Sequence, residues 1–432
     1  MERERTGPVL MSPGTVPPSA VPAQGVAGSA AAPRRVASRV YFYCFPEKPP
    51  ADSSYQHSLV GLAEGLRALG VEVHANIDYW RTGPGGEYLF RRDPAVGPDD
   101  CDAVVLEHIW FLHGYDFPAD LFHRGRRYAT VYIDRYDGEG KGKRTLTWDP
   151  AFRRFDLILK THYNDRCAYP ANVRPWAFGL TDRVLREAAA RITEDAGAQR
   201  GRRRCLLVNF RVRHRLRKQI ERELFPLLRA VLEIDTTVDA FDAPPSDAYH
   251  RLHWEQTGMR HYPGYFDRLA GSVACACFGG SFIPNWPSDA FAPVRRWHRP
   301  LNALSRAPRR LLQWDSWRFW ESLAFGCATL HVDLEAHGAR LPVMPENWRH
   351  YIGIDLGDPG AAVRRIADDP GLLDRIGKAG REWALAHYAP VPTARRFLET
   401  IGLGAPAATG AAGESGPRSI LAPAGGTDHG RG

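Results

Sequence analysis

The amino-acid sequence predicts an α/β protein of two tandem Rossmann-like domains facing each other across a cleft, between disordered N- and C-terminal tails. Three observations carry that expectation. Short apolar runs alternate with amphipathic helical stretches along most of the chain, the pattern of βαβ units and parallel sheets. The alternation starts afresh at Cys205, after an Ala- and Arg-rich stretch. A length of 432 residues, 44% hydrophobic and 25% charged, is ordinary for a globular chain and suits two domains.

The elements follow in order. Residues 1–37 are Pro-, Gly-, Ala- and Ser-rich and lack an apolar block, so they read as a disordered tail. The first domain, 38–180, opens with the apolar and aromatic run Val40–Phe45. Asp52-Ser53-Ser54 then offers a cap for a helix with Leu59, Leu62, Ala63, Leu66 and Leu69 at helical spacing, closed by Gly70, before a strand from Val71 to Ile77. Further buried strands are expected at Asp102–Glu107, Tyr128–Ile133 and Asp156–Lys160. A linker helix covers 181–204.

The second domain, 205–403, begins with strand Cys205–Phe210. A long helix from about Leu216 to Glu233 follows, then a strand at Thr237–Phe241, a helix Tyr262–Leu269 and a strand Val273–Phe278. Next come a helix Trp317–Phe325, strands Ala328–Val332 and Tyr351–Leu356, and closing helices Ala361–Ala367 and Leu372–Ala386. Residues 404–432 read as a second disordered tail.

Composition narrows the function. Lys plus Arg exceed Asp plus Glu by 57 to 49, a net +8 that fits anionic small molecules or phosphates as readily as nucleic acid. The basic residues gather at helix starts and tails and are not interleaved with aromatics over one face, so no nucleic-acid partner is expected. Seven cysteines without paired spacing point to a reducing, cytoplasmic setting. No signal-peptide core and no apolar run long enough for a transmembrane segment is evident.

Several site classes lack their signature. No GxGxxG follows a strand, no GxxxxGK[ST] occurs, and no GxSxG elbow exists. Asp134 to Gly140 faintly echoes a calcium loop, but Thr145 stands where the closing Glu belongs. Cys275 and Cys277 share one strand face and, with no second ligand pair, read as core. No metal site and no bound cofactor is expected.

Two regions carry candidate chemistry. In open α/β sheets ligands bind beyond the carboxyl ends of the strands, which singles out His108, Asp134 and His162 as catalytic candidates. A histidine there can take a hydroxyl proton; structural or acceptor-shaping roles are the plainer alternative for each. The second region is Gln313–His331. Asp315 or Ser316 can cap a helix whose first-turn N–H groups form an anion site, Arg318 adds charge for a diphosphate, and Glu321 can accept both hydroxyls of a ribose. The plainer alternative is a capped amphipathic helix with Glu321 as a solvated charge.

Trp320-Glu-Ser-Leu-Ala-Phe-Gly-Cys-Ala-Thr-Leu330 resembles the E-A-L-A-x-G-x-P-V-I element of GT-B glycosyltransferases, in particular the group-1 and CgeB-like branches. The resemblance implies that Glu321 binds the ribose of a nucleotide-sugar donor. Lys378-Ala-Gly-Arg381, His387 and Arg395 resemble the closing pattern of that family. The five-residue step from Arg213 to Lys218 is similar to the G-R-L-x-x-x-K element whose Arg and Lys hold the donor diphosphate, where cations neutralise charge on the leaving nucleotide. Two positions depart from the pattern: Gln313 stands where retaining members carry an acidic residue, and Val212 replaces the usual Gly.

The resemblance implies a metal-independent glycosyltransferase moving a sugar from a nucleotide diphosphate donor to a hydroxylated small-molecule or glycan acceptor. The alternatives are a catalytically silent paralogue acting as a glycan-binding or scaffolding subunit, which Gln313 permits, and a sugar-nucleotide epimerase.

Overall fold

The computed structural model describes residues 35–46, 55–83, 87–136, 150–192, 201–210, 214–236, 246–257, 263–284 and 309–406. Most of both predicted tails, the predicted strand at Thr237–Phe241, and Arg213 lie outside them.

Two parallel sheets organise the chain. The first contains β1 (Arg39–Tyr43), β2 (Glu72–Ala75), β5 (Ala103–Glu107), β6 (Ala129–Asp134), β7 (Leu157–Lys160) and β8 (Val173–Pro175) in the order β2-β1-β5-β6-β7-β8. The second contains β9 (Arg203–Leu207), β10 (Glu233–Asp235), β11 (Ser272–Ala276), β14 (Ala328–Val332) and β15 (Ile352–Ile354) in the order β10-β9-β11-β14-β15. In both, the first strand lies between the second and third, so the chain reverses its winding there. That topological switch point, beside β1 in one sheet and β9 in the other, is where ligands enter open α/β sheets.

The period-two pattern of β1 explains the layering. Val40 and Phe42 enter the core beneath α1 (His57–Ala68), while Tyr41 and Tyr43 enter an aromatic layer on the opposite face with Trp110, Tyr132 and Phe152. Two antiparallel strand pairs lie apart from these sheets: β3 (Tyr79–Arg81) with β4 (Tyr88–Phe90), and β12 (Ser281–Pro284) with β13 (Arg309–Leu312).

Several predicted boundaries move. The linker helix, α3, spans Asp182–Arg191, and β9 already begins at Arg203. The expected long helix from Leu216 to Glu233 is broken into α4 (Arg215–Glu223) and α5 (Phe225–Leu228), since Pro226 carries no N–H for a continuing ladder. Glu233, expected in that helix, instead opens β10 and pairs with Cys205. Helix α6 (Ala248–Gln256) was not expected, whereas α7 (Pro263–Ala270), α8 (Trp317–Ala324), α9 (Pro359–Asp368) and α10 (Leu372–Tyr388) fall close to their predicted places.

A last helix, α11 (Pro390–Thr400), crosses back from the second sheet and packs on α1 of the first. Its Ala394, Phe397 and Leu398 are fully buried in the first-sheet core. Burying Phe and Leu side chains contributes about 1.5–3 kcal/mol each, which makes α11 a structural part of the first layer. Residues 390–400 were expected to belong wholly to the second domain. The contact is close because Gly65 on α1 has no side chain; a Cβ there would lie 1.9 Å from the Pro390 carbonyl oxygen.

Candidate functional site

The carboxyl ends of both sheets meet at one junction. On the first sheet, the parallel register sets Asp134 beside Lys160, and Lys160 Nζ donates to Asp134 Oδ2 at 3.0 Å. Asp134 Oδ1 also accepts from Tyr136 N at 3.0 Å, and the residue is 3% exposed. Burial alone would raise this carboxyl; Lys160, His108 and the Tyr136 N–H outweigh it and hold Asp134 below the usual carboxylate range. His108 opens the short helix α2 (His108–Leu112), is buried, and places Nδ1 3.1 Å from the Tyr132 hydroxyl.

Glu107, the last residue of β5, is a group that the sequence reading passed over. It is fully buried, 2.9 Å from Arg135 Nε, and burial pushes its carboxyl above the usual range against the pull of Arg135 and Ser58. Its signal in the sequence was an acidic residue ending an otherwise apolar strand.

His162 takes a different place from the one expected. At 4% exposure, with φ of 51°, it accepts the Asp315 backbone N–H on Nδ1 at 3.1 Å. An imidazole so covered and engaged is a tie between the two sheets and does not face an open surface. His108 and Asp134 therefore remain together at the first-sheet edge, and His162 stands apart from them in the junction.

On the second sheet, β11 is followed by Cys277-Phe278-Gly279-Gly280, and the chain returns across this end at Gln313-Trp314. A Cβ on Gly279 would lie 2.6 Å from the Gln313 carbonyl oxygen, so only glycine admits the crossing. This Gly pair is a further signal that the motif reading left unused. Gln313 itself sits at φ 54°.

Ser316 occupies the N-cap of α8 with extended backbone, but its side chain makes no capping hydrogen bond. In the first turn of α8 the Phe319 N–H bonds back to the Ser316 carbonyl at 3.0 Å; a helix start is a place where backbone N–H groups can meet an anion. Arg318, half-buried in that turn, pairs with no carboxylate among the described residues; its charge acts on the Tyr265 hydroxyl and the Cys275 thiol. Lys218 is exposed on α4. The residue of α4 that reaches the β9–β11 switch point is instead Arg217, whose Nε donates to the Phe278 carbonyl at 3.1 Å and whose guanidinium lies 4.9 Å from the Phe210 ring centroid.

Glu321 is 2% exposed and accepts the Tyr265 hydroxyl at 2.9 Å, so it is not a solvated charge on a surface helix. Burial, then Glu321, pushes the Tyr265 phenol well above its ordinary value. Cys275 and Cys277 are both buried in the core, as expected, 3.8 Å apart at sulfur.

The two edges are sewn together by loop contacts. Asn164 Nδ2 donates to the His337 carbonyl at 2.9 Å, Asp165 N to the Gly338 carbonyl at 2.8 Å, and Arg340 Nε to Asp165 at 2.6 Å. Trp317 at the start of α8 stacks on His57 of α1, with centroids 5.7 Å apart, and meets Tyr55 edge-on at 5.4 Å. No helix of the described residues is long and apolar enough to cross a membrane.

No protein-family model matches the chain, and no curated protein matches it by sequence. Among solved structures, it is similar to an alpha-glucosyltransferase in complex with UDP-glucose and DNA containing an abasic site. The identity is 11%, the match covers 86% of this chain and 100% of that one, and the TM-score is 0.46. It is also similar to AviGT4, a glycosyltransferase involved in avilamycin A biosynthesis, at 15% identity over 84% of this chain and 97% of that one, with a TM-score of 0.44. A third is HepE (Alr3699) of Anabaena in complex with UDP, at 10% identity over 84% and 99% of the two chains, with a TM-score of 0.40.

Proposed function

We propose that the protein is a GT-B glycosyltransferase that moves a sugar from a nucleoside diphosphate donor to a hydroxylated acceptor at the junction of the two sheets. The observation that carries this reading is the second-sheet edge. There a helix start without a side-chain cap and, among the described residues, an Arg318 without a carboxylate partner stand at the carboxyl end of a doubly wound sheet, tied through Asp315 and His162 to the first sheet, whose strand ends carry Asp134 and His108. The assignment to the group-1 or CgeB-like branch is supported mainly by the Trp320–Leu330 motif, beside the Arg213–Lys218 step and the closing pattern at Lys378–Arg395.

In this reading the diphosphate lies over the first turn of α8, with Ser316 and Arg318 beneath it and Lys218 or Arg217 approaching from α4. These cations favour the charge that builds on the leaving phosphate, so the reading asks for no metal. The donor ribose takes the Glu321 carboxylate in exchange for the Tyr265 hydroxyl. The bond from the anomeric carbon to the diphosphate oxygen breaks, and a bond to the acceptor oxygen forms. The acceptor proton passes to His108 or to the departing phosphate. The acceptor is a small molecule or glycan meeting the first sheet.

The test is a thermal-shift panel of uridine, guanosine, thymidine and adenosine diphosphate sugars on the parent, Arg318→Gln and Lys218→Ala. A donor at a hundred times its Kd stabilises the native state by about 2.7 kcal/mol. We expect one nucleotide to raise the parent melting temperature and Arg318→Gln to lose most of that response. A parent that responds to none of them refutes the donor site. Equal responses from all three proteins refute the residue assignment.

A further inference from the structure

Asp315 lies one residue before the N-cap of α8, and its side chain and backbone bind three separate segments. Oδ2 accepts the Phe178 N–H at 2.8 Å, from the loop that leaves the first sheet after β8. Oδ1 accepts the Trp320 indole N–H at 2.6 Å, from within α8. The Asp315 N–H donates to His162 Nδ1 at 3.1 Å, at the end of β7. The residue is 2% exposed, so without this carboxylate the Phe178 and Trp320 donors would be left buried and unsatisfied.

The backbone on both sides of this tie is strained. His162 at φ 51° and Gln313 at φ 54° occupy the left-handed region, which residues with a Cβ keep only when their surroundings hold them there. Strain at both ends of one inter-sheet bond marks a junction held in one register by specific contacts.

We propose that Asp315 is a positioning residue that sets the start of α8, and with it Ser316 and Arg318, against the first sheet. This role rests on the transfer reaction proposed above, since only a two-sided site needs its halves in fixed register. Asp315 acts through α8 and touches no substrate. The groups facing it are His162 and the Phe178 N–H from the first sheet, the Ser316 N–H and Trp320 indole from α8, and the Tyr388 phenol from α10. Burial, opposed by His162 and these donors, pushes the carboxyl up to about 6. Acidification through that range protonates one of the two accepting oxygens and loosens the tie.

The experiment compares the full-length parent, Asp315→Asn and Trp320→Phe by hydrogen exchange of the segment holding Phe178. The same proteins are assayed for release of nucleoside diphosphate from uridine, guanosine, thymidine and adenosine diphosphate glucose across pH 5–8. In Asp315→Asn a single acceptor oxygen remains for the Phe178 and Trp320 donors, which weakens the hold on the Phe178 N–H. Exchange there should rise at least tenfold at pH 7.5, and turnover should fall at least tenfold with donor KM within twofold of the parent. The parent should show both changes as pH falls through about 6, and Asp315→Asn should show neither pH step. Trp320→Phe keeps the ring packing but removes one donor, so its exchange step should move to higher pH. Exchange at Phe178 within twofold of the parent in both variants overturns the proposal, and so does a turnover loss matched by an equal rise in KM. If the parent releases nucleoside diphosphate from none of these sugars, the transferase reading fails on its own, and the exchange data alone decide whether Asp315 ties the sheets.

Discussion

Substituting Gly65 by alanine tests the return of α11 to the first sheet. The new Cβ would lie 1.9 Å from the Pro390 carbonyl oxygen, 2.4 Å from its carbon and 2.8 Å from the Ala394 Cβ. Ordinary contact begins at 3.4 Å, so α1 and α11 must separate by roughly 1.5 Å. The obstacle is backbone and cannot swing aside. Overpacking of this kind costs about 3 kcal/mol, while alanine in a helix interior returns about 1 kcal/mol, leaving a net loss of about 2 kcal/mol. Separation also thins the contacts of Phe397 and Leu398, which lie buried beneath the same seam. Equilibrium urea unfolding followed by circular dichroism reads the change. Gly360→Ala is the control: its nearest neighbours are the tip of Arg364 at 3.1 Å and Asp358 Oδ1 at 3.3 Å, and its stability should stay within about 0.5 kcal/mol of the parent. A Gly65→Ala protein as stable as the parent, or more so, refutes the close approach of the two helices.

Two further outcomes follow from buried groups. Lys160→Met leaves the Asp134 carboxylate without its ion partner and should cost about 3 kcal/mol at pH 7. The folded Asp134 carboxyl lies below its unfolded value in the parent, so the pair contributes stability above the unfolded value and loses it as pH falls through the folded one. In the variant, burial dominates and the carboxyl rises, so the gap between the two proteins should narrow from pH 7 to about pH 4; a constant gap by chemical denaturation argues against the pair. Of the seven cysteines only Cys167 is partly exposed, so a thiol reagent should label one site rapidly in the native protein, and Cys167→Ser should abolish that phase.

Most strands of both sheets were legible because they are short apolar runs ending in polar residues; β8 (Val-Arg-Pro) and β10 (Glu-Ile-Asp) lack that pattern and escaped. The period-two faces of Val40 to Tyr43 and the fully buried Ala328–Val332 are examples. What escaped was decided by tertiary contact. Helix α11 begins Pro390-Val-Pro392, a pair that reads as a chain break; the structure uses Pro390 in the first turn, where a missing N–H costs nothing. Arg217 and Lys218 are neighbours in sequence, and only the direction of α4 determines which reaches Phe278. His162 reads as a strand-end base because its engagement by the Asp315 N–H, from a residue some 150 positions away, and its packing on Trp314 are set by tertiary contact. The helix around Glu321 was visible as a motif, but its cover by Tyr265 depends on where α7 docks.

The return of α11 has a consequence for how the protein is made. Helix α1 leaves the ribosome early, but the segment that seals its outer face follows roughly 320 residues later. At typical synthesis rates of about 5–20 residues per second, the apolar seam of α1 stays open for some tens of seconds, until nearly the whole second sheet has been made. During that interval the first sheet is a half-covered layer that invites binding by a chaperone or by another nascent chain. A stalled ribosome or a stop codon just before Pro390 would leave that layer open permanently, turning a C-terminal lesion into an N-terminal folding defect.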